Sequence, residues 1–319
     1  MIHPAFTYFK IGFSWLLLLN LGLKAGPIQW GQVPDDAKWV AHIDLEGLRQ
    51  TKLYQQIHAL FLKEPMAEME SKMEAEIGMK IPIDGLVSIT AYGKTLSKEP
   101  DKDGVLLLEL TPELKKIASN WLAGTDTESK TKRPDIIQPV DTEIKGVFNV
   151  ANELTIASDT DSNYLCLGPN QERIIAKAKQ IGPKRMDAPA KDRFSEHPVP
   201  QGAIAYVAVA NILEEAGLPA HQAKVLQLSK GASLSLGEAD ESVFINLHLR
   251  TQDSDASMQI QRILAGIQAV AMLNAKQPEW FPLLQAIDIR NDKQRVQVNW
   301  NLSLQNANKL IHALQGPEE

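Results

Sequence analysis

Val33-Pro34-Asp35-Asp36-Ala37-Lys38-Trp39-Val40-Ala41 opens one half of this 319-residue chain. Val199-Pro200-Gln201-Gly202-Ala203-Ile204-Ala205-Tyr206-Val207-Ala208 opens the other, with one residue inserted. Each opening leads into a similar order of periodic segments. A duplicated chain implies two copies of one supersecondary unit, related by pseudo-symmetry, with any binding site on or between them.

Outward from the first opening, Trp39, Ala41, Ile43 and Leu45 share one face of an alternating run, and Val40, His42 and Asp44 share the other. That is the pattern of a half-buried strand. Leu53, Ile57, Leu60 and Phe61 follow at helical spacing, and beyond Pro65 a stripe of Met66, Met69, Met73 and Ile77 reads as core packing. Strands are predicted over 85–92 and 105–110, joined by the polar loop Ser97 to Gly104. Thr111-Pro112-Glu113 then supplies an N-cap, a proline at the first helical position and an acid in the first turn. Leu114, Ile117, Ala118, Trp121 and Leu122 form the buried stripe of that helix, and Gly124 stops it. A polar loop at 125–135, strands within 142–167 and a helix from Gln171 to Ile181 complete the half. Pro183, Pro189, Pro198 and Pro200 mark a linker.

The second half replays this order. Ala205 to Ala210 reads as a strand, Ile212 to Lys230 as a helical region, and Gly231 to Gly237 as a short alternating strand. From Val243 to Thr251, Val243, Ile245, Leu247 and Leu249 point inward, while Phe244, Asn246, His248 and Arg250 point outward. Ile260, Ile263, Leu264, Ile267 and Val270 predict the buried stripe of a long helix. A hairpin over Ile287 to Asn301, turning at Asn291 to Gln294, and a closing helix through Leu304, Ala307 and Leu314 end the chain. The expected fold is α+β: two similar β-α-β-β-α-β-β-α units, with mostly antiparallel sheets and helices packed on one face. Trp39, Ile43, Leu108, Trp121, Leu247, Ile263 and Trp300 are the expected core.

The Val-Pro-x-x-Ala opening, the Trp/Tyr-Val-Ala strand, the apolar helix ending in Gln277-Pro278-Glu279-Trp280 and the closing hairpin and helix resemble a group of uncharacterised, duplicated, secreted bacterial proteins. The resemblance covers most of residues 33–314. It implies export and duplication, and no functional residues.

Lys10, the apolar run Ile11 to Leu23 and the small Ala25 predict a secretory signal peptide over residues 1–25. The first repeat then spans 33–182, the linker 183–199 and the second repeat 200–315. The apolar run is shorter than a spanning helix requires, and no later segment is long enough to cross a membrane. The net charge is −6. It becomes more acidic once Lys10 and Lys24 leave, which argues against nucleic acid or anionic lipid as partners. The single cysteine, Cys166, lies in apolar Tyr164-Leu165-Cys166-Leu167 and reads as a small buried hydrophobe.

Tyr92-Gly93-Lys94-Thr95 carries the tail of a phosphate loop, but Ser88 stands where its first glycine belongs. Gly231-Ala232-Ser233-Leu234-Ser235 lacks the second glycine of a nucleophile elbow and reads as strand. Asp159-Thr160-Asp161 begins like a calcium loop, yet Tyr164 and Asn170 occupy its glycine and glutamate positions, so a hairpin turn is expected. His3, His42, His58, His197, His221, His248 and His312 show no metal-ligand spacing. No cofactor and no metal are expected.

The outward strand faces are polar without being heavily charged. His42, Asp44, Tyr92, Asn246, His248 and Asn299 are the candidate binding residues, with Ser88, Thr90, Ser233, Ser235, Gln297 and Asn301 beside them. Such groups can hydrogen-bond a glycan or a peptide. The expected function is an exported, non-enzymatic binding or structural protein of the bacterial cell envelope, periplasmic or extracellular. Its partner would be an envelope protein, a peptide or a glycan. The alternative is a periplasmic hydrolase working between the repeats, with acid and base drawn from His42, Asp44, His248 or an Asp or Glu in the cleft between the halves.

Overall fold

The computed structural model describes residues 28–58, 82–95, 103–124, 137–158, 162–180, 194–210, 228–275 and 280–314, with a few helical residues between 67 and 74. The methionine stripe, residues 1–25, the helical region from 212 and the calcium-like triplet at 159–161 fall outside these.

The first half contributes strands β1 (Trp39–Asp44), β2 (Leu86–Gly93), β3 (Val105–Leu110), β4 (Ile137–Pro139), β5 (Val147–Val150), β6 (Leu154–Ser158) and β7 (Tyr164–Gly168). The second contributes β8 (Ala203–Ala210), β9 (Ser229–Ala239), β10 (Ser242–Thr251), β11 (Ile287–Asp292) and β12 (Arg295–Ser303). All twelve join one sheet in the order β11-β12-β10-β9-β8-β1-β2-β3-β7-β6-β5-β4. Every pairing is antiparallel, and the halves meet edge to edge where β1 pairs β8. The fold is therefore α+β.

One face of the sheet carries the helices. Helices α1 (Leu45–Arg49) and α2 (Lys52–Ile57) cover its centre through Leu45, Leu48 and Leu53, packed with Ile89, Ile204 and Leu236. Helix α3 (Pro112–Ala123) forms as its sequence dictates. The Thr111 hydroxyl accepts from Leu114 N–H at 3.3 Å, Pro112 takes the first turn, and Gly124 leaves at φ 70°. Its Leu114, Ala118, Trp121 and Leu122 pack on Phe148, Leu165 and Leu167.

The opposite face is also covered over the first half. Helix α4 (Gln171–Ala178), residues 28–37 and residues 194–199 lie on it, and Ile28, Val33, Ile174 and Phe194 pack on Val40, Tyr92, Cys166 and Tyr206. Residues 194–199, which composition assigns to the linker, thus include Phe194 at 1% exposure. Central strands of so wide a sheet are screened on both sides, whereas a two-layer reading leaves one side wet.

Three expectations change. The first concerns register. Trp39 lies opposite Val209 while Tyr206 lies opposite His42, so Trp39 and Tyr206 sit on opposite faces. Each opening makes a turn before its first strand: Ala37 N–H donates to Pro34 C=O, and Ala203 N–H to Pro200 C=O, both at 3.1 Å. The second concerns the core. Of the seven expected residues only Trp121, at 6% exposure, is fully buried, while the other six are half-buried.

The third concerns the long helix α5 (Ser254–Leu273), followed by α6 (Trp280–Gln285) and α7 (Leu304–Leu314). Ile260 is fully buried, but Ile267 and Val270 are 60% and 56% exposed. The helix is rotated by hydrogen bonds the apolar pattern does not contain. Gln268 Nε2 donates to Leu284 C=O at 2.8 Å and Ile287 C=O at 2.9 Å, and Gln261 Nε2 donates to Ile289 C=O at 3.4 Å. Glutamines therefore face the sheet edge, and part of the aliphatic stripe faces outward.

Candidate functional site

Alternation and register together place the polar residues. Across the sheet, His42 stands beside Thr90 and Tyr206, and Asp44 beside Ser88. Ser235, Asn246 and Asn299 form one rung in the second half; Ser233, His248 and Gln297 form the next. All the candidate residues therefore share one face, as alternation predicts. Their environments differ sharply between the halves.

In the first half they are structural. His42 is 5% exposed, with Nδ1 2.9 Å from the Thr90 hydroxyl. Asp44 is 2% exposed, and its carboxylate accepts from Gly47 N–H at 2.8 Å, capping α1. Tyr92 is 1% exposed beneath the Arg173 guanidinium, 5.9 Å from its ring centroid, and burial holds its phenol well above the ordinary range. The expectation of an outward, wet face fails for these three residues. Cys166 is buried too, and burial pushes its thiol up to about 12. Gly93 of the phosphate-loop-like stretch serves packing: a Cβ there would stand 2.5 Å from the Trp39 indole nitrogen.

In the second half Asn246, His248, Gln297 and Asn299 remain half-exposed, and Asn301 is exposed. Strands β8 and β9 separate β10 from β1, so at about 4.8 Å per strand His248 lies roughly 14 Å across the sheet from the His42 rung. The structure does not bring His42 and Asp44 to His248.

What it brings to His248 instead is the segment before β8. His197 N–H donates to Phe194 C=O at 2.9 Å, and Tyr206 Oη donates to His197 C=O at 2.6 Å, fixing that segment against the sheet. The His197 ring lies against Gly231 of β9, where a Cβ would be 2.6 Å from Nε2 and 3.0 Å from Val209 C=O. His197 is 4% exposed, and its Nδ1 has no hydrogen-bond partner among the described residues.

Glu196, His197, His248, Arg250, Arg295 and Gln297 line a cleft of about 60 Å³, room for a few waters or one small ion. Arg250 and Glu196 form an ion pair at its rim. Burial, then the nearby Arg295, lowers the His248 pKa. Burial first, with Arg250, Arg295 and His248 adding and Glu196 opposing, pushes His197 down to about 4. Both imidazoles are therefore neutral near pH 7. Among the described residues no group of three His, Cys, Asp or Glu side chains is placed to hold a metal ion.

Sequence reasoning missed Glu196 and His197 because the linker carries no periodicity. It missed Arg295, two residues before Gln297 on the same alternating face, because nothing local sets a charge at the end of β12 apart from a solvated one. One signal was present. A glycine inside a strand, here Gly231, marks a place where another group approaches the backbone closely.

No family model matches this chain, and no curated protein matches it either. Among solved structures it is similar to crystal form III of TP0453, at 11% identity and a TM-score of 0.46, over 89% of this chain and 97% of that one. It is similar also to crystal form I of TP0453, at 12% identity and a TM-score of 0.43, over 91% and 98% of the two chains.

Proposed function

We propose that this is an exported, non-enzymatic binding protein of the bacterial cell envelope, built from two copies of one unit. The ligand face is the strip Asn246, His248, Gln297 and Asn299 on β10 and β12. The observation that carries the reading is the contrast along one sheet face. Every polar candidate in the first half is buried in a structural role, while these four stay open to a partner. Adjacent amides and an imidazole at strand spacing suit the hydroxyls of a glycan or the backbone of a peptide. Duplication is supported by the matched turns at Pro34–Ala37 and Pro200–Ala203. It is supported also by the strand orders β1-β2-β3-β7-β6 and β8-β9-β10-β12-β11 that run outward from the central pair. Export, to the periplasm or beyond the cell, is supported by Lys10, the apolar run and Ala25.

Hydrolysis between the halves has less support. Of the residues named for its acid and base, His42 and Asp44 are engaged at Thr90 and at the cap of α1, and His248 lies three strands away from them.

The test of binding is a titration of ¹⁵N-labelled protein with a chito-oligosaccharide and with a short peptide. Side-chain amide signals of Asn246, Gln297 and Asn299 are expected to move with one of the two probes. No movement with either at millimolar concentration would overturn the reading. The test of export is the intact mass of protein from its native host, expected to begin just after Ala25.

A further inference from the structure

The cleft at the end of that strip is built differently from the strip itself. Arg250 of β10 and Arg295 of β12 are direct cross-strand partners on one face. Like charges in that position destabilise an antiparallel pair. The structure compensates one of them, through the Arg250–Glu196 ion pair. Arg295 forms no ion pair among the described residues, although Asp292 is its cross-strand partner on β11. Arg290, on the next strand, is taken up by Asp288 at 2.6 Å.

Two imidazoles face the same space. His248 is two residue pairs along from the arginines on the same face, and His197 lies over Gly231. His197 is buried, and its Nδ1 lacks a hydrogen-bond partner. Gln297 adds a neutral amide at the wall. Two guanidiniums and two protonatable rings thus converge on a hollow of about 60 Å³ whose only lining carboxylate, among the described residues, is already paired. That arrangement disfavours cations and is complementary to a small oxyanion. Arg295 supplies an uncommitted planar donor fork, and each histidine can add a charge-assisted donor on taking up a proton.

We infer that the His197–His248–Arg295 cleft is a binding site for an oxyanion, the phosphate or carboxylate group of a ligand. The site shares His248 and Gln297 with the strip and goes beyond it through His197, Arg250 and Arg295, while Asn246 and Asn299 take no part. Binding draws a proton onto one or both rings, so affinity rises as pH falls.

The experiment uses the whole chain in a buffer free of phosphate and carboxylate. Inorganic phosphate and acetate are titrated separately at constant ionic strength, with chloride as the control, while the ring signals of His197 and His248 are followed by NMR. Saturable shifts of both rings with phosphate are expected for a phosphate site, and with acetate for a carboxylate site. Arg295 is exposed, so Arg295→Gln is expected to fold as the wild type does, with amide chemical shifts away from the cleft unchanged, and to weaken binding about tenfold. Lowering pH from 7.5 to 5.5 is expected to tighten binding severalfold. Ring shifts no larger than with chloride, or equal affinity in Arg295→Gln, would overturn the site. The glycan and peptide probes read at Asn246 and Asn299 are independent of this result, so either proposal can fail without the other.

Discussion

Gly231 and His197 occupy one place in the fold: the histidine ring stands where the glycine has no side chain, 2.6 Å from the position a Cβ would take. A residue of the predicted linker is in this way built into the sheet of the second half. Gly231→Ala must push back either the ring or the Val209 carbonyl, 3.0 Å away. The expected cost is about 1–3 kcal/mol, as for other overpacked sites. Urea unfolding with an unchanged m-value checks it; a loss under about 0.5 kcal/mol would show that the ring swings freely.

The His197 ring also predicts a pH dependence. Its folded pKa, pushed down to about 4 by burial and then by the Arg250, Arg295 and His248 charges, lies below the ordinary 6.5. The folded state therefore holds fewer protons than the unfolded one. The stability tied to the neutral ring is complete above pH 6.5 and is lost as pH falls toward 4, up to about 3 kcal/mol at 1.4 kcal/mol per unit. His248, shifted in the same direction, adds to the slope. In denaturant titrations at pH 7 and pH 4.5, His197→Gln should lose less stability than wild type between the two. An identical difference would contradict the buried, neutral ring.

Trp121 is the fully buried member of the expected core, at 6% exposure, and its indole N–H has no hydrogen-bond partner among the described residues. Trp121→Ala should cost about 3–5 kcal/mol by cavity formation. Trp121→Phe should cost far less, because it also removes the unmet donor. Comparable losses for the two variants in chemical denaturation would mean that the indole N–H is satisfied after all.

Orientation of α5 can be checked with neighbouring residues. Gln268→Ala strips a donor from the Leu284 and Ile287 carbonyls and should cost about 1–2 kcal/mol. Ile267→Gln, at an exposed position, should change stability by less than about 0.5 kcal/mol. The opposite order would restore the aliphatic stripe as the buried face.

Alternation and end signals were legible in the chain itself. They determined which side chains share a strand face, from His42 to Asn299, and where α3 begins and ends, because a two-residue period, an N-cap and a left-handed glycine are local properties. They determined equally that Gly231 to Ser235 is strand and that Cys166 is buried. What local chemistry cannot contain is what lies on top of a face. The same alternating polar residues are buried in β1 and β2, where Tyr92 packs with α4 and with residues from 28–37 and 194–199, and half-exposed in β10 and β12. The orientation of α5 rests on glutamines that bond carbonyls some twenty residues away. The oxyanion cleft joins a linker histidine, two strand arginines and a strand histidine separated by up to a hundred positions. Only the pairing of β8, β9, β10 and β12 sets them around one hollow, since burial and charge convergence are decided by segments distant in sequence and close in space.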